Sequence, residues 1–303
     1  CGYVSVAEPF AGLFTQGMVC HETYKDDAGK WLYPESIIKL ADGNAVHAET
    51  KAPVTVGRSE SMSKSKRNVV DPGAIIDAFG ADTARWFMLS DSPPERDMEW
   101  TSSGVEGAWR FTQRLWRLLQ EALPRLGPRN GAAPADVSES VLRLRQTTHR
   151  TIAGVTHDIE NFHFNRAVAR VYELANAFDD SGIEPGDAGA AFARRECLEV
   201  LARLIGPMMP HLAEEMWAAL GHERLLTETP WPAADAALVR EDTVTIAVQV
   251  AGKLRATLEF RRDTDEAALR AAALANDNVR RAIAGRVVRK VVVVPNRVVN
   301  VVV

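Results

Sequence analysis

Apolar residues recur at intervals of three, four or seven through the middle of the chain, which is the spacing of amphipathic helices. The stripes are Val105, Trp109, Trp116, Leu119 and Leu123; Leu144, Thr148, Ile152, Val155 and Ile159; Phe164, Val168, Val171, Ala175 and Phe178; and Ala193, Cys197, Val200 and Leu204. Pro207 and Pro210 precede a shorter helix containing Met216. The pattern predicts helix from Ser102 to about Leu220, in an all-α bundle over 102–232 whose Trp and Phe residues pack in the core.

Beyond residue 243 the pattern changes to alternation, which is typical of half-buried strands. Strands are predicted over 244–250 and 254–260, joined at Gly252 and Lys253, and again over 287–294 and 298–303. Helical segments are predicted near 266–274 and 279–284. A linker rich in Pro and Ala, 229–237, precedes a small α+β domain over 243–303.

The first hundred residues show shorter runs. Residues 1–24 predict a short helix end and a strand, and turn signals divide 25–57 into a small β-rich segment. A polar loop within 58–101 leads into two helices, one opened by Asp71 and Pro72 and closed by Gly80, the next over 83–90. Asp82 is predicted to be the N-cap of that second helix.

Composition indicates an ordinary soluble globular chain of 303 residues, 46% apolar and 25% charged. No run of about 18 apolar residues is present, so no membrane association is expected. The first residue is Cys1, and we expect the chain to be a piece of a longer protein. Three scattered cysteines without a Cys-x-x-Cys pair favour a reducing cytoplasm and predict no bound metal, with Cys197 in the core.

Positive charge is concentrated at one end of the chain. Residues 243–303 carry eleven Lys and Arg against five acids, a balance of +6, so the remainder holds −10 of a net charge of −4. A basic C-terminal domain on an acidic body predicts a polyanionic partner such as nucleic acid.

The polar loop has the composition of a phosphate-binding segment. It consists of Ser61, Met62, Ser63, Lys64, Ser65, Lys66 and Arg67. Hydroxyls and backbone N–H groups donate to phosphate oxygens, and a lysine ammonium is a compact charge on a flexible stem. Alone, such a heptamer is also typical of a solvated basic turn.

The loop and its flanks resemble the KMSKS signature of class I aminoacyl-tRNA synthetases. The flanking pattern is Asn68, Asp71, Pro72, Gly80, Ala81, Asp82, Thr83 and Arg85. Segments that resemble leucyl-tRNA synthetases are 8–10, 13–19, 98–100, 104–111, 207, 210–217, 231–232 and 248–250. Two positions depart from the family: Ser61 replaces its first lysine, and Ala251 stands where Asn is common.

The resemblance implies a multidomain segment of such an enzyme, its C-terminal portion. Residues 1–24 would be the edge, or remnant, of an α/β Rossmann-like catalytic domain, and 25–57 a leucyl-specific insertion. The loop and stem-contact helices would occupy 58–101, the anticodon-binding bundle 102–232, and a tRNA-binding α+β domain 243–303.

The implied activity is ATP-dependent activation of leucine and its transfer to tRNA(Leu). Lys64 would be the catalytic cation, helped by Lys66 and Arg67, and ATP with its Mg²⁺ counter-ion would bind Ser61, Met62, Ser63, Lys64 and Ser65. The tRNA would contact Lys253, Arg255, Arg286, Arg289, Lys290 and Arg297. The family's His-x-Gly-His signature is absent from this sequence, so leucine activation is expected to need the preceding half.

Two alternatives stay open. Valyl, isoleucyl and methionyl enzymes share the loop and the bundle, although the zinc cysteines usual in isoleucyl enzymes and the coiled coil usual in valyl enzymes are missing here. The chain could also be a non-catalytic tRNA-binding subunit.

Overall fold

The computed structural model describes residues 2–240 and 243–303. The chain folds as two compact units, Cys1–Asp235 and Ala236–Val303.

A small sheet forms the first part of unit 1. Its strands are β1 (Val19–Lys25), β2 (Trp31–Leu32), β3 (Ile37–Lys39), β4 (Ala45–His47), β5 (Pro53–Ser61) and β6 (Met98–Glu99). The antiparallel order is β2-β1-β5-β4-β3, and β6 pairs with β1 in parallel. The β-rich character expected for 25–57 is present, and the long strands β1 and β5 continue beyond both ends of that segment. The helix end predicted within 1–24 is wrong for the described residues 2–24, which contain no helix.

The two helices after the loop are α1 (Pro72–Phe79) and α2 (Ala81–Ser90). Asp71 caps α1, its carboxylate accepting the N–H of Gly73 at 3.0 Å. The prediction that Asp82 caps α2 is wrong, because Gly80 occupies that position and Asp82 lies in the first turn. Its carboxylate instead accepts the N–H of Leu212 at 2.7 Å, at the start of helix α7 (Pro210–Ala219). Asp82 therefore connects the region after the loop to the bundle.

Replacing Asp82 with alanine removes this connection. The N–H of Leu212 loses its acceptor, so we expect unit 1 to lose about 1–2 kcal/mol of unfolding free energy in urea titrations. Asp82→Asn is the matched control, since its amide oxygen can still accept that N–H. Equal losses for both variants would mean that the ion pair with Arg85 matters more than the cap.

The bundle consists of α3 (Ser102–Ala122), α4 (Glu139–Glu160), α5 (Phe164–Asp179), α6 (Ala190–Ile205) and α7. All four predicted stripes lie on helices, and Cys197 is fully buried as predicted, which raises the pKa of its thiol to about 12. The segments 126–138 and 180–189 are not helical. The helical prediction from Ser102 to Leu220 is therefore wrong across these two connections, which are rich in Gly, Pro and Asp.

The prediction that the tryptophans of α3 are buried is also wrong. Trp109 and Trp116 are 40% and 36% exposed, whereas Val105, Ala108 and Leu115 face the core. The tryptophans lie at one edge of the buried face, since its centre falls between Ala108 and Leu115 on the helix surface.

Unit 2 begins with α8 (Ala236–Val239) and contains β7 (Thr243–Val250), β8 (Lys253–Arg261), α9 (Glu266–Ala275), α10 (Asp277–Ile283), β9 (Lys290–Val294) and β10 (Val298–Val302). The sheet order is β8-β7-β10-β9, with β7 and β10 parallel and the other pairs antiparallel. Both helices pack on the sheet face that carries Ile246, Val248 and Val299. The strand predicted from residue 287 begins instead at Lys290. This residue pairs with Val302, the last residue of β10.

Candidate functional site

The polar loop begins where β5 ends. Ser61 is paired with Cys20 of β1, and the N–H of Met62 donates to the Val19 carbonyl at 3.0 Å. The chain then turns back, and the N–H of Arg67 donates to the Lys64 carbonyl at 3.4 Å. The loop is therefore tethered at its first residues to β1, the strand that also pairs with β2 and β6.

Asn68 anchors the other end of the loop. Its side chain is completely buried and accepts the N–H of Ser63 at 2.9 Å. Its amide nitrogen lies 3.1 Å from the His21 carbonyl, 3.0 Å from that of Glu60 and 3.4 Å from that of Ser61. An amide can donate and accept at once, so this one side chain holds β1, β5 and the loop together.

The loop serines partly satisfy each other. The hydroxyl oxygens of Ser63 and Ser65 are 2.6 Å apart, and the N–H of Lys66 donates to the Ser63 hydroxyl at 3.4 Å. Hydroxyls rotate freely, so they can redirect toward an incoming ligand. These bonds keep the free loop in one compact turn.

The three loop cations have different surroundings. Lys66 forms an ion pair with Glu60, whose pKa is lowered by hydrogen bonds from Lys66 and then from Arg58. The Arg67 guanidinium lies over the Tyr33 ring, 5.2 Å from its centroid. Lys64 is exposed, and its ammonium has no ion pair or hydrogen bond among the described residues. Of these three cations, Lys64 is therefore the one whose charged group has no contact with another described side chain.

Of the five predicted loop residues, Ser61 is the last residue of β5 and Met62 and Ser63 follow it directly, whereas the exposed Lys64 and Ser65 begin the turn over 64–67. The structure differs from the expectation that Lys66 and Arg67 assist Lys64, because both are engaged by other side chains. Glu60 and Tyr33 were not predicted to have a role from the sequence, and Asn68 was predicted only as a position of the motif. The motif position of Asn68 was the available signal, whereas the contacts of Tyr33 depend on the tertiary fold.

The six predicted tRNA contacts fall into two groups. Lys253, Arg255, Arg289 and Lys290 are exposed at the end of the sheet where β8 and β9 begin, with Arg286 shortly before them. Arg297 is in the β9–β10 turn at the opposite end, about 14 Å along β9.

Arg286 is partly committed within its own domain. Its guanidinium donates to the carbonyls of Ala282 at 2.6 Å and Ile283 at 3.1 Å, at the end of α10. Lys290 alternates with the inward-facing Val291, so it lies on the sheet face opposite the helices. Arg255 is exposed and is the extra residue of a bulge in the β7–β8 pairing, between Leu254 and Ala256. The basic residues are thus spread over about 14 Å from β8 to β9.

Within residues 2–240 and 243–303 there is no group of three His, Cys, Asp or Glu side chains arranged to hold a metal ion. In the same part of the chain, no helix combines the length and hydropathy needed to cross a membrane.

Two family models match the chain. Residues 51–101, which include the loop, match the tRNA synthetases class I (I, L, M and V), and residues 143–270 match the anticodon-binding domain of tRNA ligase. Leucine–tRNA ligase of Paramagnetospirillum magneticum is 59% identical over 303 residues, covering 100% of this chain and 35% of the relative. The enzyme of the same name from Parvibaculum lavamentivorans is 56% identical over 305 residues, with the same coverage.

The chain belongs to the leucine–tRNA ligase family. It spans about a third of the length of these relatives, which is consistent with the expected C-terminal portion. The prediction of a class I synthetase segment that contains an anticodon-binding domain is therefore confirmed.

A solved structure shares this fold. The LeuRS of Agrobacterium radiobacter, crystallised as a LeuRS–tRNA–LeuAMS ternary complex, superposes with a TM-score of 0.74 and is 28% identical. The alignment covers 99% of this chain and 34% of that one.

Proposed function

We propose that this chain forms the part of a leucine–tRNA ligase that holds the triphosphate of ATP and contacts tRNA(Leu). The observation that supports it most directly is the exposed Lys64 ammonium, which has no ion pair or hydrogen bond within residues 2–240 and 243–303 and stands on a loop anchored by Asn68. The full enzyme would join leucine to ATP and then transfer the leucyl group to the terminal ribose of the tRNA.

Lys64 would act by electrostatic stabilisation. When leucine attacks ATP, negative charge grows on the α-phosphate and on the departing pyrophosphate. A mobile ammonium can follow that charge, and the bonded turn around it fixes where the lysine stem begins. Ser63 and Ser65 can exchange their mutual hydrogen bond for bonds to phosphate oxygens. ATP would bring Mg²⁺ as its own counter-ion.

The basic end of the unit 2 sheet would contact tRNA phosphates. Exposed Arg and Lys on an open sheet face give an electrostatic, salt-dependent attraction. The catalytic domain, to which 1–24 would contribute an edge, and the leucine pocket would come from the rest of the enzyme. Since no histidine in this sequence lies in a His-x-Gly-His stretch, we expect this chain alone to show no leucine-dependent pyrophosphate exchange.

The first test is equilibrium binding of the chain to tRNA(Leu) at several salt concentrations. We expect affinity to fall linearly on a log–log plot as salt rises, with a slope of about −0.9 for each phosphate neutralised in a duplex region. The variant Arg255→Ala/Lys290→Ala should bind more weakly and flatten the slope by about 1 for each lost contact.

Arg297→Ala removes one charge at the other end of the sheet and is the matched control for each single variant, Arg255→Ala and Lys290→Ala. Equal weakening by all three single variants would mean that binding follows total charge and not the end of the sheet where β8 and β9 begin. Loss of salt dependence without loss of affinity would contradict phosphate contact. Leucine-dependent pyrophosphate exchange by the chain alone would contradict the proposal that leucine activation needs the rest of the enzyme.

A further inference from the structure

Tyr33 connects the small sheet of unit 1 to the Lys64 loop. It follows directly after β2, and its carbonyl accepts the N–H of Ser36 at 3.0 Å, starting a short 3-10 turn over Pro34–Ser36. Strand β2 pairs with β1, and β1 pairs with β5, which ends at Ser61. The position of the Tyr33 ring is therefore set by the same sheet that carries the loop.

Arg67 is the loop residue that this ring meets. Its backbone has a φ of 55°, a left-handed conformation that residues other than glycine adopt only at a cost. Arg67 stands between Lys66, whose ammonium is paired with Glu60, and the buried Asn68. The left-handed turn lets both neighbours reach their partners while the arginine side chain extends toward Tyr33.

The contact has the geometry of a cation–π interaction. The guanidinium carbon is 5.2 Å from the ring centroid, inside the usual limit of about 6 Å. Glu60 is already bonded by Lys66 and Arg58. The contact that the structure gives the Arg67 guanidinium is therefore the tyrosine ring.

We propose that Tyr33 is a positioning residue for the Lys64 loop and acts through Arg67. Together with the Glu60–Lys66 pair, it turns two of the three loop cations into tethers, so that Lys64 alone is presented to phosphate. The functional consequence rests on the proposed ATP role of the loop, whereas the tether itself does not.

Hydrogen exchange of the 303-residue chain tests the tether without any ligand. The reporting amides are those of Met62, Ser63, Lys66 and Arg67, each of which donates a hydrogen bond in the loop. Tyr33→Ala should accelerate their exchange about two- to fivefold, the range that corresponds to a partly exposed cation–π contact. Tyr33→Phe keeps the ring and should exchange like the parent chain.

Two amides of the small sheet that donate outside the loop are the internal control, those of Asp26, bonded to the Lys30 carbonyl at 3.1 Å, and His47, bonded to the Ala52 carbonyl at 2.9 Å. Unchanged loop exchange in Tyr33→Ala would overturn the proposal. So would equal acceleration at Asp26 and His47, since that would show general loosening of the sheet.

A second measurement separates the tether from the role of the loop. In a full-length leucine–tRNA ligase containing this segment, Tyr33→Ala should raise the KM for ATP about two- to fivefold and leave the KM for leucine unchanged. Faster loop exchange with an unaltered KM for ATP would keep Tyr33 as a tether and overturn the assignment of the loop to ATP. If Arg67 were itself a phosphate ligand, freeing it from Tyr33 would instead lower that KM.

Discussion

In a full-length leucine–tRNA ligase containing this segment, Lys64→Ala should lower the kcat of leucine-dependent pyrophosphate exchange about 100- to 1,000-fold. This is the range found when one preorganised electrostatic group is removed from a transition state. The loss should be near the upper end, because Ser61 replaces the lysine that the family carries three residues earlier. Lys66 and Arg67 are held by Glu60 and Tyr33, so neither is placed to substitute.

Lys66→Ala is the control for charge alone. It removes the same formal charge from the same loop, but the charge is already paired with Glu60, so we expect less than about a tenfold loss. Lys64→Arg keeps the charge on a planar, less mobile group, so its loss of kcat should lie between those of Lys64→Ala and Lys66→Ala. Similar losses for Lys64→Ala and Lys66→Ala would contradict the unique role of Lys64 and would indicate that the loop acts by total charge.

Local pattern was sufficient for much of the fold. The helices over 144–159 and 164–178 and the hairpin beginning near residue 244 were predicted because burial on one face imposes a period that a single sequence displays. The prediction that the tryptophans of α3 are buried was wrong because periodicity locates a buried face but not its edges. A large aromatic ring at an edge is both apolar and half exposed, as Trp109 is.

The site was predicted as a segment and not as a set of contacts. The motif located Lys64 and the serines, since those residues are consecutive in the chain. The partners that distinguish the three loop cations come from Glu60, at the end of β5, and from Tyr33, more than thirty residues away. Asp82 shows the same limit, because a short carboxylate at a helix start indicates a cap but not which helix it caps.

Asn68→Asp is the substitution we expect to destabilise unit 1 most. Asn68 is completely buried, and its amide group donates toward the carbonyls of His21, Glu60 and Ser61. An aspartate there cannot donate when ionised, and it places a buried charge against three carbonyl oxygens. Removing the partners of a buried polar group in this way costs about 3–5 kcal/mol.

The loss should depend on pH in a known direction. Burial and the facing carbonyls raise the pKa of the new carboxyl in the folded state above its unfolded value. The protonated form is therefore favoured in the folded chain, and the deficit relative to the parent grows as pH rises through that folded pKa. Urea unfolding at pH 5 and pH 7 measures it, and all seven tryptophans lie in unit 1, so their fluorescence reports this unit.

Asn176→Asp is the matched control for this change. Asn176 is exposed on α5, and its amide oxygen accepts a hydrogen bond from Arg114 at 2.6 Å. An aspartate keeps that acceptor and faces a cation, so its unfolding free energy should stay within about 0.5 kcal/mol of the parent. If both variants lose the same stability, or if the deficit of Asn68→Asp is independent of pH, then the buried amide is not what holds β1, β5 and the loop together.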